Sequence, residues 1–139
     1  VIHFNLTHWQ YVNMCWWMTQ SFVSTPIAIT FTPKYANSIL YVDVLTNLNM
    51  NTTNPNGIVA AIYRDGTNIQ SSGGYNGGMF IYTNPVTDHY PLLHTTEYVT
   101  AGSTSATTFA LWVRCWNAYS VRVGAHAGKS YISVMVIAQ

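Results

Sequence analysis

Apolar and polar residues alternate with a period of two along most of this chain, and no stretch repeats apolar residues at helical intervals. In "FVSTPIAITF" the residues Thr25, Ile27, Ile29 and Phe31 share one face, and Pro26 marks an edge or a bend. "ILYVDVLTNLNM" places Leu40, Val42, Val44, Leu48 and Met50 on one side and Tyr41, Asp43, Asn47 and Asn49 on the other. That is the signature of a long, half-buried strand. "IVAAIYRDGTNIQ" reads as strand, turn and strand, because Asp-Gly between apolar runs favours a tight hairpin. "MFIYT" is a further strand, whereas "NPVTDHYPLLHTTEYV", with its two prolines, predicts a meandering connection with short strands.

In "TTFALWVRCWNAYSVRVG" the pattern sets Phe109, Leu111, Val113 and Cys115 against Trp112, Arg114 and Trp116. A turn at Asn117-Ala118 then predicts a hairpin returning through Tyr119, Val121 and Val123. Polar, Gly-rich or Pro-rich loops are expected at 32–38, 51–57, 71–78, 101–106 and 124–129. The chain finishes with "YISVMVIAQ", a strand with no charge, proline or glycine in it. Such continuous apolarity predicts cover on both faces, by sister chains or by a loop of a lone subunit. Ile132, Val134, Val136 and Ala138 would then face the core, and Tyr131, Ser133, Met135 and Ile137 the opposite side. About eight to ten strands and no helix give an all-β chain, a two-sheet antiparallel β-sandwich or jelly roll.

Composition narrows the class. Residues 1–139 make a single domain in which 49% of residues are apolar and only 6% charged, against about 25% charged in ordinary domains. The surface must therefore consist of uncharged polar groups and aromatics, which argues against a cytosolic enzyme and for an extracellular or particle-bound protein. A net charge of +1 without a basic stripe gives no footprint for nucleic acid. No apolar run reaches the roughly 20 residues that cross a bilayer, so no membrane insertion is expected. The chain begins without Met or a signal peptide, as expected of a processed or C-terminal piece of a longer product.

Candidate chemistry is sparse. The four carboxylates are Asp43, Asp65, Asp88 and Glu97, and Asp65 already has a turn role. No Gly-x-Ser-x-Gly elbow is present, and "SSGGYNGG" lacks the Lys of a phosphate loop. No catalytic residue, cofactor or metal site is assigned. "DHYPLLHTTE" holds metal-ligating types in Asp88, His89, His94 and Glu97, but at no metal spacing, and His3, His8 and His126 are isolated. Cys15 and Cys115 fit two buried thiols, with a disulfide left open. The aromatic stretch Trp9, Tyr11, Trp16 and Trp17 fits core or intersubunit filling better than a docking surface. Loops rich in Tyr, Asn, Ser and Gly suit glycans, because sugar rings stack on aromatics while amides pair with hydroxyls. The candidate receptor contacts are Tyr75, Asn76, His89, Tyr90, Ala125 and His126. The 124–129 loop is expected at the end of the sandwich opposite Gln139, with the 101–105 turn beside it.

The order of motifs "VIHF", "STPIAITFTPKYANSILYVDVL", "GIVAAIYRDGTNI", "TSATTFALWVRCWNAYSVRVG" and "SYISVMVIAQ" resembles C-terminal modules of structural proteins of tailed phages, aquatic ones in particular. In those modules a "TP…S.I" turn precedes a long strand, an "R.GT.I" hairpin follows, and the ending is similar to "S.I.VMEIA". Here Val136 stands at the acidic position of that ending. The resemblance spans most of residues 20–70 and 102–139. It implies a trimeric jelly roll of the complement or tumour-necrosis-factor type, with first and last strands paired in a sheet facing the threefold axis. Tyr131, Ser133, Met135 and Ile137 are then the expected trimer contacts. The implied role is a fibre or spike tip at the virion surface, whose partners are two sister chains, other virion proteins and a host-surface glycan. A capsid decoration or cement protein of the same fold is the alternative role. A cellular lectin or adhesin is a further alternative, outside the virion.

Overall fold

The computed structural model describes residues 21–50, 55–87, 89–116, 121–124 and 130–138, together with the backbone of 2–6. Ten strands are found among them: β1 (Ile2–Leu6), β2 (Val23–Phe31), β3 (Ile39–Asn49), β4 (Asn56–Arg64), β5 (Thr67–Asn68), β6 (Met79–Thr83), β7 (Leu92–Thr100), β8 (Thr107–Cys115), β9 (Arg122–Val123) and β10 (Ser130–Ala138). The only helical element described is one 3-10 turn, Gly74–Asn76. Two antiparallel sheets result, a β-sandwich. The first has the order β1-β10-β3-β7, with β9 on the end of β3; the second has the order β2-β8-β4-β5, with β6 also on β4.

The sequence pattern explains the sandwich. Leu40, Val42, Val44 and Leu48 of β3 lie in the core with Ile132 and Val134 of β10. Ile58 and Ile62 of β4 meet them from the second sheet with Phe109, Leu111 and Val113 of β8. Asp65 and Gly66 have φ of 48° and 82°, the left-handed pair that a two-residue hairpin turn requires. Pro26 sits where β2, an edge strand, breaks register against β8 between Ser24 and Ala28. The Thr25 hydroxyl spans that break by donating to the carbonyl of Leu111 at 2.9 Å.

The structure departs from the sequence reading at several places. Residues 92–100 are one nine-residue strand rather than a meander. Both prolines, Pro85 and Pro91, precede it, so neither interrupts its ladder to β3. Residues 121–124 do not return upon β8. Both edges of β8 are already taken by β2 and β4, so Arg122 and Val123 pair with Asn49 and Leu48 at the end of β3. Ala138 is exposed rather than in the core. A register shift between Val136 and Ala138 sets Ala138 opposite Ile39, whose side chain points outward.

The 101–106 turn lies at the end of the sandwich where β10 finishes, since Thr100 and Ala138 both pair with Ile39. Gly124 and Ser130 lie at the opposite end, Gly124 N donating to the Asn47 carbonyl and Ser130 opening β10, and residues 125–129 between them lie outside the described residues. Cys115 is disulfide-bonded rather than a free thiol. The chain's other cysteine, Cys15, lies outside the described residues, as do Trp9, Tyr11, Trp16, Trp17 and the Asn117-Ala118 turn.

Candidate functional surfaces

Each sheet has one face in the core and one turned away from it, and the two outer faces differ. On the first sheet, the register brings Ile39, Tyr41, Asp43 and Leu45 of β3 beside Thr100, Tyr98, Thr96 and His94 of β7. On the other side of β3, Met135, Ser133 and Tyr131 of β10 stand opposite Tyr41, Asp43 and Leu45. Among the described residues, this face leaves several large apolar side chains exposed. Tyr98 is 62% exposed, Leu92 52% and Ile137 48%, and Ile39 and Met135 are exposed beside them. The Tyr41 and Tyr98 rings pack with centroids 4.9 Å apart.

A polar group sits in the middle of that face. Asp43 accepts from His94 Nε2 at 2.6 Å and from the Tyr131 hydroxyl at 3.2 Å. Burial raises the Tyr131 phenol above its ordinary value, and the neighbouring carboxylate of Asp43 raises it further. His94 is thus on the long strand β7, where the sequence predicts a meandering connection with short strands. Of the four expected trimer contacts, Met135 and Ile137 are exposed and Tyr131 is half-buried. Ser133 is already buried within the chain, so it offers little new surface to a partner.

The outer face of the second sheet carries an aromatic belt that single-segment reading did not reveal. Tyr63 of β4 and Trp112 of β8 stack at 4.2 Å with ring planes 7° apart. Phe22 packs on Tyr63, and the Arg114 guanidinium lies over the Phe22 ring. Burial raises the Tyr63 hydroxyl pKa, opposed by its hydrogen bond with Asn68 and by the Arg114 charge. Further along, Tyr75, Phe80 and Trp116 meet mutually, at centroid separations of 4.6, 4.5 and 5.6 Å, and Tyr82 adjoins Phe80. These rings come from the 71–78 loop, β6 and the end of β8. Only strand pairing brings them together, so no local motif announces them.

Gly57 makes the cluster possible. A Cβ there would stand 2.9 Å from the Phe80 ring and 3.1 Å from Trp116 Cβ. The loop is anchored where Arg114 Nη2 donates to the Tyr75 carbonyl at 2.6 Å. Asn68 also donates, to the Asn76 carbonyl, at 2.8 Å.

Among the other expected receptor contacts, His89 and Tyr90 lie on the connection before β7. There the His89 carbonyl accepts from Met50 N at 3.0 Å. They therefore belong to the first sheet's side, while Tyr75 and Asn76 belong to the second. Ala125 and His126 lie outside the described residues, as does Asp88 of the acidic and histidine group. Among the described residues no three His, Cys, Asp or Glu side chains stand close enough to hold a metal ion. No helix there is long and apolar enough to cross a membrane. No protein-family model matches the chain, and no curated protein matches it.

Proposed function

We propose that the chain is a non-enzymatic structural module of a phage virion that assembles as a homotrimer around its first sheet and binds a host-surface glycan. The single observation that carries this is the exposed apolar cluster at one end of the first sheet's outer face, Ile39, Tyr98, Met135 and Ile137. Soluble monomers rarely leave a contiguous apolar surface of this kind to water. Sister chains would cover it as the two halves of a divided core cover one another.

The strand order supports the same reading. With the two-residue strands β5 and β9 set aside, the sheets alternate as β1-β10-β3-β7 and β2-β8-β4-β6. This order supports the jelly-roll reading. The first and last strands pair in the sheet that bears the open face, as in the trimers that the sequence resembles. Low charge across the chain suits a module whose partners are copies of itself.

Sedimentation equilibrium of the isolated chain at micromolar concentration tests the assembly. A mass of three chains is expected, and Met135→Glu should reduce it to one, because three carboxylates would be desolvated around one axis. A wild-type monomer across that range would remove the basis of the proposal. Peptide mass spectrometry of purified particles then tests the virion assignment, which predicts this sequence in stoichiometric amounts.

A further inference from the structure

We propose that Tyr75, Phe80, Tyr82 and Trp116 form a stacking platform for a pyranose ring of an uncharged glycan. This rests on the reading above that the module binds a host-surface glycan, and it moves the contact from the ends of the sandwich to the outer face of the second sheet. That face is opposite the one assigned to sister chains, so both can be occupied together.

Three observations support the platform. The first is ring geometry. Tyr75, Tyr82 and Trp116 are each exposed by more than a third while braced against Phe80 or one another. Rings held in place by other rings lose little freedom when a ligand stacks on them. The second is backbone strain. Tyr75 and Asn76 are consecutive non-glycine residues with φ of 58° and 60°. Left-handed conformations of this kind cost about 1–2 kcal/mol per residue and persist where surrounding structure holds them. Here Arg114 and Asn68 grip the two carbonyls and so hold Tyr75 against Trp116. Collapse of the loop away from the sheet would relieve that strain and lose the platform.

The third is the polar rim. The hydroxyls of Tyr75 and Tyr82 and the indole N–H of Trp116 are polar edges of the rings themselves, and Asn76 follows Tyr75 in the loop. Flat apolar rings beside uncharged donors and acceptors match a sugar, whose ring faces are C–H surfaces and whose rim is hydroxyl. A negatively charged sugar would want an unengaged cation, and the nearby Arg114 is committed to the Tyr75 carbonyl and the Phe22 ring.

The test is binding of the whole chain to immobilised neutral polysaccharides (a β-glucan, a galactan and a mannan) and to hyaluronan and polysialic acid as acidic probes. Trp fluorescence provides a second readout. Wild type is expected to bind at least one neutral polysaccharide and neither acidic one. Tyr82→Ala and Tyr75→Ala should each weaken binding at least tenfold, and Trp116→Phe should retain most of it. Tyr90→Ala should leave it unchanged. The aromatic near-ultraviolet spectrum and the sedimentation mass identify any variant that has failed to fold, and Tyr82, the most exposed of the rings, provides the cleanest readout. Unchanged binding by a folded Tyr82→Ala, or selective binding of acidic polymers, would overturn the platform. Loss on Tyr90→Ala instead would overturn it while leaving a glycan-binding module in place. Absence of binding to every probe, with the trimer intact, would overturn both the platform and the glycan half of the proposed function.

Discussion

Gln70 is the side chain whose removal should do most damage for its size. The outer edge of β4 is shared by two strands that do not meet: β6 pairs as far as Ala60, and β5 begins at Tyr63. The Ile62 N–H falls in the gap, and the buried Gln70 side chain fills it, its Oε1 accepting from Ile62 N at 2.8 Å. The same amide reaches the other sheet, where Nε2 donates to the Thr96 carbonyl at 2.9 Å and the Thr95 hydroxyl at 3.1 Å. One amide therefore completes a ladder and ties the sheets along one side of the sandwich. Gln70→Ala leaves two backbone groups without partners, each worth about 1–3 kcal/mol, and the expected loss is about 3–5 kcal/mol. Urea unfolding at fixed protein concentration, with the disulfide intact, measures it as a lower midpoint at unchanged slope. Gln70→Glu keeps the acceptor for Ile62 but sets a carboxylate against the Thr96 carbonyl. It should destabilise at neutral pH and recover in acid, where the protonated carboxyl can donate. A Gln70→Ala protein within about 0.5 kcal/mol of wild type would refute the clamp, since surface substitutions fall in that range.

Other consequences follow from the same coordinates. Arg64 donates to the carbonyls of Thr100 and Ala101 and the hydroxyl of Thr107, with its guanidinium over the Phe109 ring. Arg64→Lys should therefore destabilise by about 1–3 kcal/mol in urea, because an ammonium cannot reproduce the planar fork. Asp65 accepts from the Thr107 hydroxyl and from Thr108 N, which hold its carboxyl below the ordinary value of 3.8. A depressed folded pKa gives stability that is complete above the unfolded value and fades as pH falls through the folded one. The stability difference between wild type and Asp65→Asn should be flat at neutral pH and shrink in acid below the ordinary carboxyl range; a difference that grows there would contradict the assignment. Thiol titration of the unreduced, denatured chain should find no free Cys115, and one free thiol at that residue would contradict the disulfide.

Much of the sandwich is legible along the chain because its causes are local. The alternation of Leu40, Val42, Val44, Leu48 and Met50 marks a core face, and all five are buried. The Asp65-Gly66 pair demands its turn, and Pro26 marks an edge strand. What failed depended on pairing. Leu93 and Thr95 form too weak an apolar stripe to announce β7, which owes its length to the ladder along β3. Val121 and Val123 look like a returning hairpin, and only the occupied edges of β8 send them across to the other sheet. The sites divide in the same way. Met135 and Ile137 can be picked from an uninterrupted apolar strand, whereas the Tyr75, Phe80 and Trp116 cluster and the Gln70 clamp join residues far apart in the chain. Side-chain periodicity and turn chemistry are properties of neighbouring residues, so sequence alone determined which segments are strands and which faces are apolar. Which strand lies beside which depends on hydrogen-bonding edges competing throughout the molecule, and only the tertiary structure decided that.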